Sequence, residues 1–356
     1  MADTSYGVNH PLAVKLWSKM INSEVLKVAF LPQFIGPSQS DMIQVKDETQ
    51  KSAGDKITYG LRMQLSARGV SGDATLEGQE ESLTTYSDSL VIDQLRNGVR
   101  SGGRISEQRV PFSVREESMA GLADWFADRI DTSGFNQLCG YTVQTDTNYT
   151  GMQSATAPDS THRVFPTDAN NSGTDESVST TGVFTLSLID KAVERARTVT
   201  PAFRPIQVGN KKMFVAFIHE YQNTDLRINT NTGQWQDIQK AAMSGGEIGD
   251  NPIFDGSLGV YNNVILHASS RLPYGVHSST GANVVGVRRA VLCGAQAAVI
   301  GYGRDNGPTR YTWVEESFDY GNKLGVSVGT IFGLKKSVFN STDYGTIVMS
   351  SYAIQH

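Results

Sequence analysis

The stretch from residue 54 to residue 140 constrains the fold of this chain more than any other. Its first part, residues 56–100, has apolar and polar side chains in alternation near both ends and a glycine-rich, acidic middle, which predicts a long polar β-hairpin. It is followed by Ser113-Val114-Arg115-Glu116, a capping box that predicts the start of a helix. A hairpin this polar cannot form a core of its own, so we expect it to lie on another surface.

The hairpin and the helix are each predicted from their side-chain spacing. In the first strand the apolar side chains alternate with polar ones, residues 68–82 form a wide turn-rich tip, and residues 85–100 return as the second strand. The helix is expected to run to about Leu138, roughly 37 Å at 1.5 Å per residue. One face of it carries Met119, Leu122, Ala123, Phe126 and Ile130 at helical spacing.

The remaining segments predict an α+β chain of two lobes with an N-terminal arm. A short helix is expected after Asn9 and an extended arm over residues 22–54, whereas residues 141–182 are poor in aliphatic side chains and predict a surface insertion between the lobes. The second lobe is expected to contain helices from Ser187 to Pro201, over 221–228 and over 237–243, and strands over 213–218, 258–267 with a turn at Asn262-Asn263, and 284–293. Residues 294–303 predict a turn or short helix, and strands are expected over 311–318, 324–332 and 346–352.

Composition excludes several classes of protein. The chain has 356 residues, a net charge of −5 and only 19% charged residues, which disfavours tight DNA binding because phosphate contacts need Lys and Arg. Its two cysteines, Cys139 and Cys293, form no CxxC pair, so we expect two buried free thiols and neither a disulfide nor a zinc site. The N-terminus lacks the pattern of a signal peptide, and no apolar run is long enough to span a membrane.

Sequence motifs for catalysis and cofactor binding are missing. The chain contains no G-x-G-x-x-G and no P-loop sequence, and no catalytic residue and no cofactor or metal site is predicted. His219-Glu220 begins like a zinc-protease motif, but Asn223 stands where its second histidine would be. The carboxylates of Glu77, Glu80, Glu81, Asp88 and Asp93 could hold calcium, but they lack the spacing of an EF-hand loop and are interpreted as a solvated acidic face.

Several blocks of the sequence closely resemble the major capsid proteins of tailed bacteriophages related to the N-four podophage. The resemblance covers about residues 54–352 and is carried, in order, by GDATLEGQEESLTTYSDSLVIDQLRNGVRSGG, ISEQRVPFSVREESMAGLADWFADRID, MFVAFIHEYQNTDLR, NPIFDGSLGVYNNVILHAS and RRAVLCGAQAAVIGYG.

The resemblance implies the Hong Kong 97-like capsid fold. Residues 1–54 would then be the N-terminal arm, 55–111 the E-loop hairpin, and 112–200 a peripheral domain with the long spine helix. An axial domain would occupy 201–310, and the C-terminal strands of 311–356 would return to the peripheral domain.

The same resemblance implies a coat protein whose copies assemble as hexamers and pentamers around double-stranded DNA in the host cytoplasm. Its expected partners are other copies of itself, separate scaffold and portal proteins, possible decoration proteins and the DNA, in weak non-specific contact; no membrane is involved. Because the hairpin has no core of its own, its charged residues are candidates for subunit contacts: Arg68, Glu77, Glu80, Glu81, Arg96, Arg100 and Arg104.

One feature departs from the Hong Kong 97 type, in which a lysine of the E-loop can form a covalent cross-link. No lysine lies between Lys56 and Lys191 here, so we expect a shell held by non-covalent contacts. Two other interpretations remain open from the residues alone: a hydrolase with a diffuse carboxylate site, and a secreted β-rich binding protein.

Overall fold

A computed structural model describes residues 30–46, 54–108, 113–166, 173–209, 211–228, 257–303 and 310–356. The helices predicted after Asn9 and over 237–243 lie outside these residues. The described part is a mixed α+β fold built on two large sheets, as predicted. No helix in it is long and apolar enough to cross a membrane.

The described helices are α1 (Arg104–Gln108), α2 (Val114–Leu138), α3 (Leu186–Thr198) and α4 (Glu220–Ile228). The spine helix α2 is confirmed, and its start is fixed by Ser113, whose Oγ accepts a hydrogen bond from the Glu116 backbone N–H at 3.3 Å. Helix α3 begins with Thr185 as its cap, two residues before the predicted Ser187. Helix α4 lies where residues 221–228 predicted one.

The strands of the described residues contain between two and 14 residues. They are β1 (Ile35–Gly36), β2 (Ile43–Lys46), β3 (Lys56–Arg62), β4 (Thr85–Val91), β5 (Asp93–Arg100), β6 (Arg163–Val164), β7 (Ile206–Val208), β8 (Lys211–Ile218), β9 (Ser257–Tyr261), β10 (Val264–Ala268), β11 (Tyr274–Val276), β12 (Asn283–Cys293), β13 (Ala298–Tyr302), β14 (Thr312–Phe318), β15 (Lys323–Lys336), β16 (Val338–Phe339), β17 (Thr342–Asp343) and β18 (Thr346–Tyr352).

The first sheet has the order β1-β2-β13-β15-β14, and β5 pairs with β15. Helix α2 packs against this sheet through the apolar face that its spacing predicted, with Leu122 and Phe126 fully buried beside Trp313 and Val328. The Phe126 ring meets Tyr311 edge-on at 5.4 Å. Burial continues into the C-terminal half of α2, where even Gln137 is inaccessible to solvent. This half is therefore surrounded by protein, whereas a helix on the surface of a sheet would have one exposed face.

The second sheet has the order β6-β18-β12-β8-β10-β9. Helix α3 covers it with Leu188, Ile189 and Val193, which share a buried cluster with strand residues such as Ala216. Between β9 and β10 both turn residues, Asn262 and Asn263, have positive φ (45° and 62°), the geometry of the predicted two-residue turn.

The N-terminal segment is built into the first sheet. Strand β2 pairs in parallel with β13, and Leu31 and Phe34 are buried in the core. The fully buried carboxylate of Asp131 on α2 accepts the backbone N–H groups of Phe30 and Leu31 at 3.0 and 2.9 Å. The described part of the arm over residues 22–54 is therefore a component of the core and not only an extended crossing.

Residues 294–303 and 141–182 differ from what the sequence predicted. Residues 294–303 contain the fully buried strand β13 instead of a turn or helix, because β2 and β15 flank them and supply backbone partners. The stretch 141–182 is not a purely surface insertion, since Asp175 is buried and pairs with buried Arg289 at 2.7 Å. Strand β18 pairs with β12 of the second sheet and in parallel with β6, which lies within residues 112–200.

Candidate intersubunit surface

Strands β3 and β4 form the predicted hairpin, and only its base is anchored. Ile57 and Leu90 are buried in a small cluster with Val299. Asp88 accepts a hydrogen bond from the Tyr59 hydroxyl at 2.9 Å and pairs with Lys335 of β15. The base therefore has a core contact, whereas the rest of the hairpin extends away from it.

The hairpin is shorter than predicted. Its second strand ends at Val91, and after Ile92 the chain continues as β5, which pairs with β15 along its whole length from Asp93↔Phe332 to Arg100↔Gly325. A Cβ on Gly333 would lie 2.1 Å from the Val91 carbonyl oxygen, so only glycine fits where this junction crosses β15. The expectation of one strand over 85–100 is wrong because β15 captures the second half.

Residues 63–84, called the tip below, contain no described helix or strand and are exposed almost throughout. Three leucines stand out in it: Leu65, Leu76 and Leu83 are each more than half exposed, at 57%, 58% and 56%. The tip also carries one basic residue, Arg68, against the acidic Asp73, Glu77, Glu80 and Glu81, a net charge of −3. This exposed polar segment thus presents apolar and acidic side chains together.

Two of the predicted contact residues hold the tip in shape. The Glu81 carboxylate accepts the backbone N–H groups of Ser66 and Ala67 at 2.8 and 2.7 Å, which ties the two sides of the hairpin together. These bonds, that from Ser66 first, lower the pKa of Glu81 below its ordinary value of 4.5. Glu80 closes a turn by accepting the Gly78 N–H at 2.7 Å.

Arg68 and Glu77 lie on the tip, but Arg96, Arg100 and Arg104 do not. Arg96 and Arg100 belong to β5 on the body of the protein, and Arg104 begins α1 beside the β14–β15 turn. The Arg100 guanidinium stacks on the Phe318 ring at 4.2 Å, and the Arg104 backbone N–H reaches Asn322 Oδ1 at 3.4 Å. The structure therefore divides the seven predicted contact residues into a mainly acidic group on the tip, three glutamates with Arg68, and a group of three arginines on the body.

The β14–β15 turn carries an exposed aromatic residue that was not among the predicted contact residues. Tyr320 is fully exposed with a positive φ of 52°, between Asp319 and Gly321, which also have positive φ. Ile105 of α1, near the same turn, is 66% exposed. A large aromatic residue in the middle of a tight turn was the available signal, because such positions usually hold small polar residues.

The sites considered for chemistry have structural roles. His219 caps the start of α4, where its Nδ1 accepts the Tyr221 N–H at 3.1 Å, and burial lowers its pKa to about 4. Asp88 is paired to Lys335 and partly buried, so the acidic run is not one solvated face. Among the described residues no group of His, Cys, Asp and Glu is arranged to hold a metal ion.

Both cysteines are free and buried, as predicted. Burial raises the pKa of Cys139 to about 12, which leaves its thiol protonated and unreactive.

A long exposed hairpin anchored on a two-sheet body with a spine helix is the architecture of a protein that builds shells from copies of itself. The phage capsid protein family matches residues 5–355, and the chain belongs to that family. Its fold is accordingly the Hong Kong 97-like fold, as predicted, and its family is one of structural proteins, which confirms that it is not an enzyme.

Individual relatives agree with this assignment. The chain is 28% identical to the major capsid protein of Pseudomonas phage KPP25, over 93% of both chains. Its structure is similar to the capsid of Ralstonia phage GP4, with a TM-score of 0.80 and 31% identity over 99% of both chains. The fold is also that of the capsid of cyanophage Pam1, with a TM-score of 0.70 and 19% identity over 92% of both chains.

Proposed function

We propose that this capsid protein is the major capsid protein of an N-four-like phage, and that its copies assemble as hexamers and pentamers into an icosahedral shell enclosing double-stranded DNA. The observation that carries the proposal is the hairpin, which is anchored only at its base and exposes leucines and carboxylates along a tip without a core. Such a segment has no core of its own chain in which to bury its leucines, and a neighbouring subunit offers one. Many modest contacts of this kind add up to a large interface when they are repeated around a ring.

In this proposal the parts of the fold have mechanical roles. Residues 112–200 with the spine helix α2 form a peripheral domain, residues 201–310 form an axial domain, and the C-terminal strands return to the peripheral domain, where β18 pairs with β6. The acidic charge of the whole chain, −5, favours loose contact with packaged DNA. Separate scaffold and portal proteins and a decoration protein are partners of assembly, which takes place in the host cytoplasm.

Assembly of the expressed chain tests the proposal. Electron microscopy of the full chain, alone and with lysate of infected host cells, should show closed shells or capsomer rings. A variant with residues 65–82 replaced by Asn-Gly keeps the base of the hairpin, where Met63 N–H bonds the Thr84 carbonyl at 3.0 Å, and should fold but form no shells. Monomers of the full chain under all these conditions contradict the proposal.

The lysine gap predicts how the shell is held. Because no lysine lies between Lys56 and Lys191, the tip cannot supply the amine of an isopeptide bond to a neighbour. Mature particles boiled in denaturant should therefore give a single band of 38.7 kDa on a gel. A ladder of covalent oligomers that contain this chain would refute the prediction.

A further inference from the structure

We propose that the acidic tip of one copy docks on a basic patch of the neighbouring copy, formed by Arg96, Arg100 and Arg104 with the apolar side chains of Ile105 and Tyr320. The inference rests on the proposed shell function and adds to it the surface that receives the hairpin.

The tip and the patch carry opposite charges, and Asp73, Glu77 and the three arginines form no ion pairs with described residues of their own chain. On the tip, Asp73 and Glu77 form no hydrogen bond or ion pair with any described residue. On the body, the side chains of the three arginines form no ion pair with a described carboxylate, although Glu316 and Asp319 lie on the same β14–β15 hairpin. Arg96, Arg100, Arg104 and Lys323 against Glu107, Glu316 and Asp319 give this end of the body a net charge of +1, with the Arg115–Glu315 pair left out, against −3 on the tip. Guanidinium and carboxylate groups form strong two-pronged hydrogen bonds when they meet.

The apolar groups are complementary as well. The tip exposes Leu65, Leu76 and Leu83, and the patch exposes Ile105 at 66% and the whole ring of Tyr320. Exposed apolar groups that are rimmed by charge are typical of a protein interface. Burial of the leucines would supply affinity, while the charges would fix the register of the contact.

Geometry prevents the tip from reaching the patch of its own chain. Strand β15 connects the two places: its Lys335 contacts Asp88 at the hairpin base, and its Gly325 pairs with Arg100 at the patch. Ten residues of strand separate these points, about 33 Å. The hairpin lies beyond the Lys336 end of β15 and away from Gly325, because Tyr59 contacts Phe339 and Asp88 accepts the backbone N–H of Val338.

A tip and a receptor at opposite ends of one rigid segment make a head-to-tail contact. Such a heterologous contact closes into a ring when the rotation between copies allows it. The same contact repeated five or six times therefore accounts for pentamers and hexamers, whereas a two-fold contact does not.

Disulfide trapping in assembled particles tests the contact directly. Gln79→Cys on the tip combined with Tyr320→Cys on the patch should, on oxidation with copper phenanthroline, give a ladder of linked subunits. Each single variant should not, and neither should the control that pairs Gln79→Cys with Val285→Cys, an exposed residue of the other sheet. The native Cys139 and Cys293 are buried and stay silent.

Charge reversal gives an independent measurement. Arg100→Glu with Arg104→Glu, or Asp73→Arg with Glu77→Arg, should lower the yield of particles roughly 10- to 100-fold, as expected for the loss of several exposed pairs. The combination of all four changes should restore most of the yield. Lys211→Glu with Lys212→Glu makes the same net change on exposed residues of the other sheet and should have little effect.

The outcomes separate the proposals. Shells without a ladder, together with no rescue by the four-fold variant, overturn the docking and leave the shell function standing. Empty shells that form normally from the patch variant but package less DNA would show that the patch faces DNA, which also overturns the docking. Failure of the unmodified chain to assemble overturns the shell function and the docking with it.

Discussion

The spine helix and the hairpin lie close together in the chain, yet they relate to the core in opposite ways. Helix α2 is capped, amphipathic in its first half and enclosed by protein in its second half. The hairpin has one buried contact at its base and a tip of residues 63–84 that touches almost nothing. The difference shows that one continuous block of sequence can be divided between folding and assembly: the helix stabilises the subunit, and the tip is left for the neighbour.

The largest expected effect comes from a pair of matched truncations. Phe126→Ala removes a fully buried ring of α2 and should lower the free energy of unfolding by about 3–5 kcal/mol. Leu76→Ala removes an exposed side chain of the tip and should change it by less than about 0.5 kcal/mol while lowering particle yield. Urea unfolding of the subunit measures the first quantity and sedimentation of particles the second. Equal destabilisation by the two changes would abolish the distinction between the regions.

A smaller effect is expected where α2 holds the N-terminal segment. Asp131→Ala removes the acceptor of two backbone N–H groups and a partner of Arg271 at 3.1 Å. Each N–H left without an acceptor costs about 1–3 kcal/mol, so unfolding should be easier by about 2–4 kcal/mol.

Limited proteolysis near residue 30 measures whether the loss is local. Asp128→Ala, which removes only the more exposed ion pair of Arg271, is the matched control and should be nearly neutral. If both variants resist protease as the natural chain does, Asp131 is not the anchor.

The smallest effect is a pH dependence confined to the tip. Hydrogen bonds from Ser66 and Ala67 lower the pKa of Glu81, so they stabilise the closed tip above pH 4.5 and the stabilisation is lost as the pH falls through the lowered value. The measurement is the hydrogen exchange rate of the Ser66 and Ala67 amides in Glu81→Gln, divided by the rate in the natural chain. This ratio should be well above one at neutral pH and approach one in acid.

Glu77→Gln on the same tip is the control, because Glu77 accepts no hydrogen bond from a described residue. A ratio for Glu81→Gln that does not change with pH would show that Glu81 does not close the tip. Subunit stability should be unaffected in either variant, in contrast to the changes in α2.

The sequence predicted those helices, strands and turns whose signals lie among residues that are close together in the chain. Ser113 and Glu116 set the start of α2, Asn262-Asn263 set a tight turn, and alternation located β3, β14 and the first part of β15. These signals act between residues that are near in sequence, so they can be recognised before the fold is known. The polar tip was predicted as an assembly element for the same reason, because too few apolar groups are available for a local core.

Elements decided by distant partners were missed or misplaced. Ala298–Tyr302 is a strand because β2 and β15 flank it, and the small residues around it gave no sign of either neighbour. The break at Ile92 follows from the pairing of β5 with β15, more than 200 residues away, and it moved Arg96 and Arg100 from the hairpin to the body.

By itself the sequence determined the spine helix, the polar hairpin and the absence of lysine from its tip, since each depends on neighbouring residues or on composition. Only the tertiary structure decided where the charged groups lie relative to one another. Backbone pairing between distant strands divides the acidic tip from the basic patch and sets them at opposite ends of β15, because the strand that captures β5 lies far away in the chain.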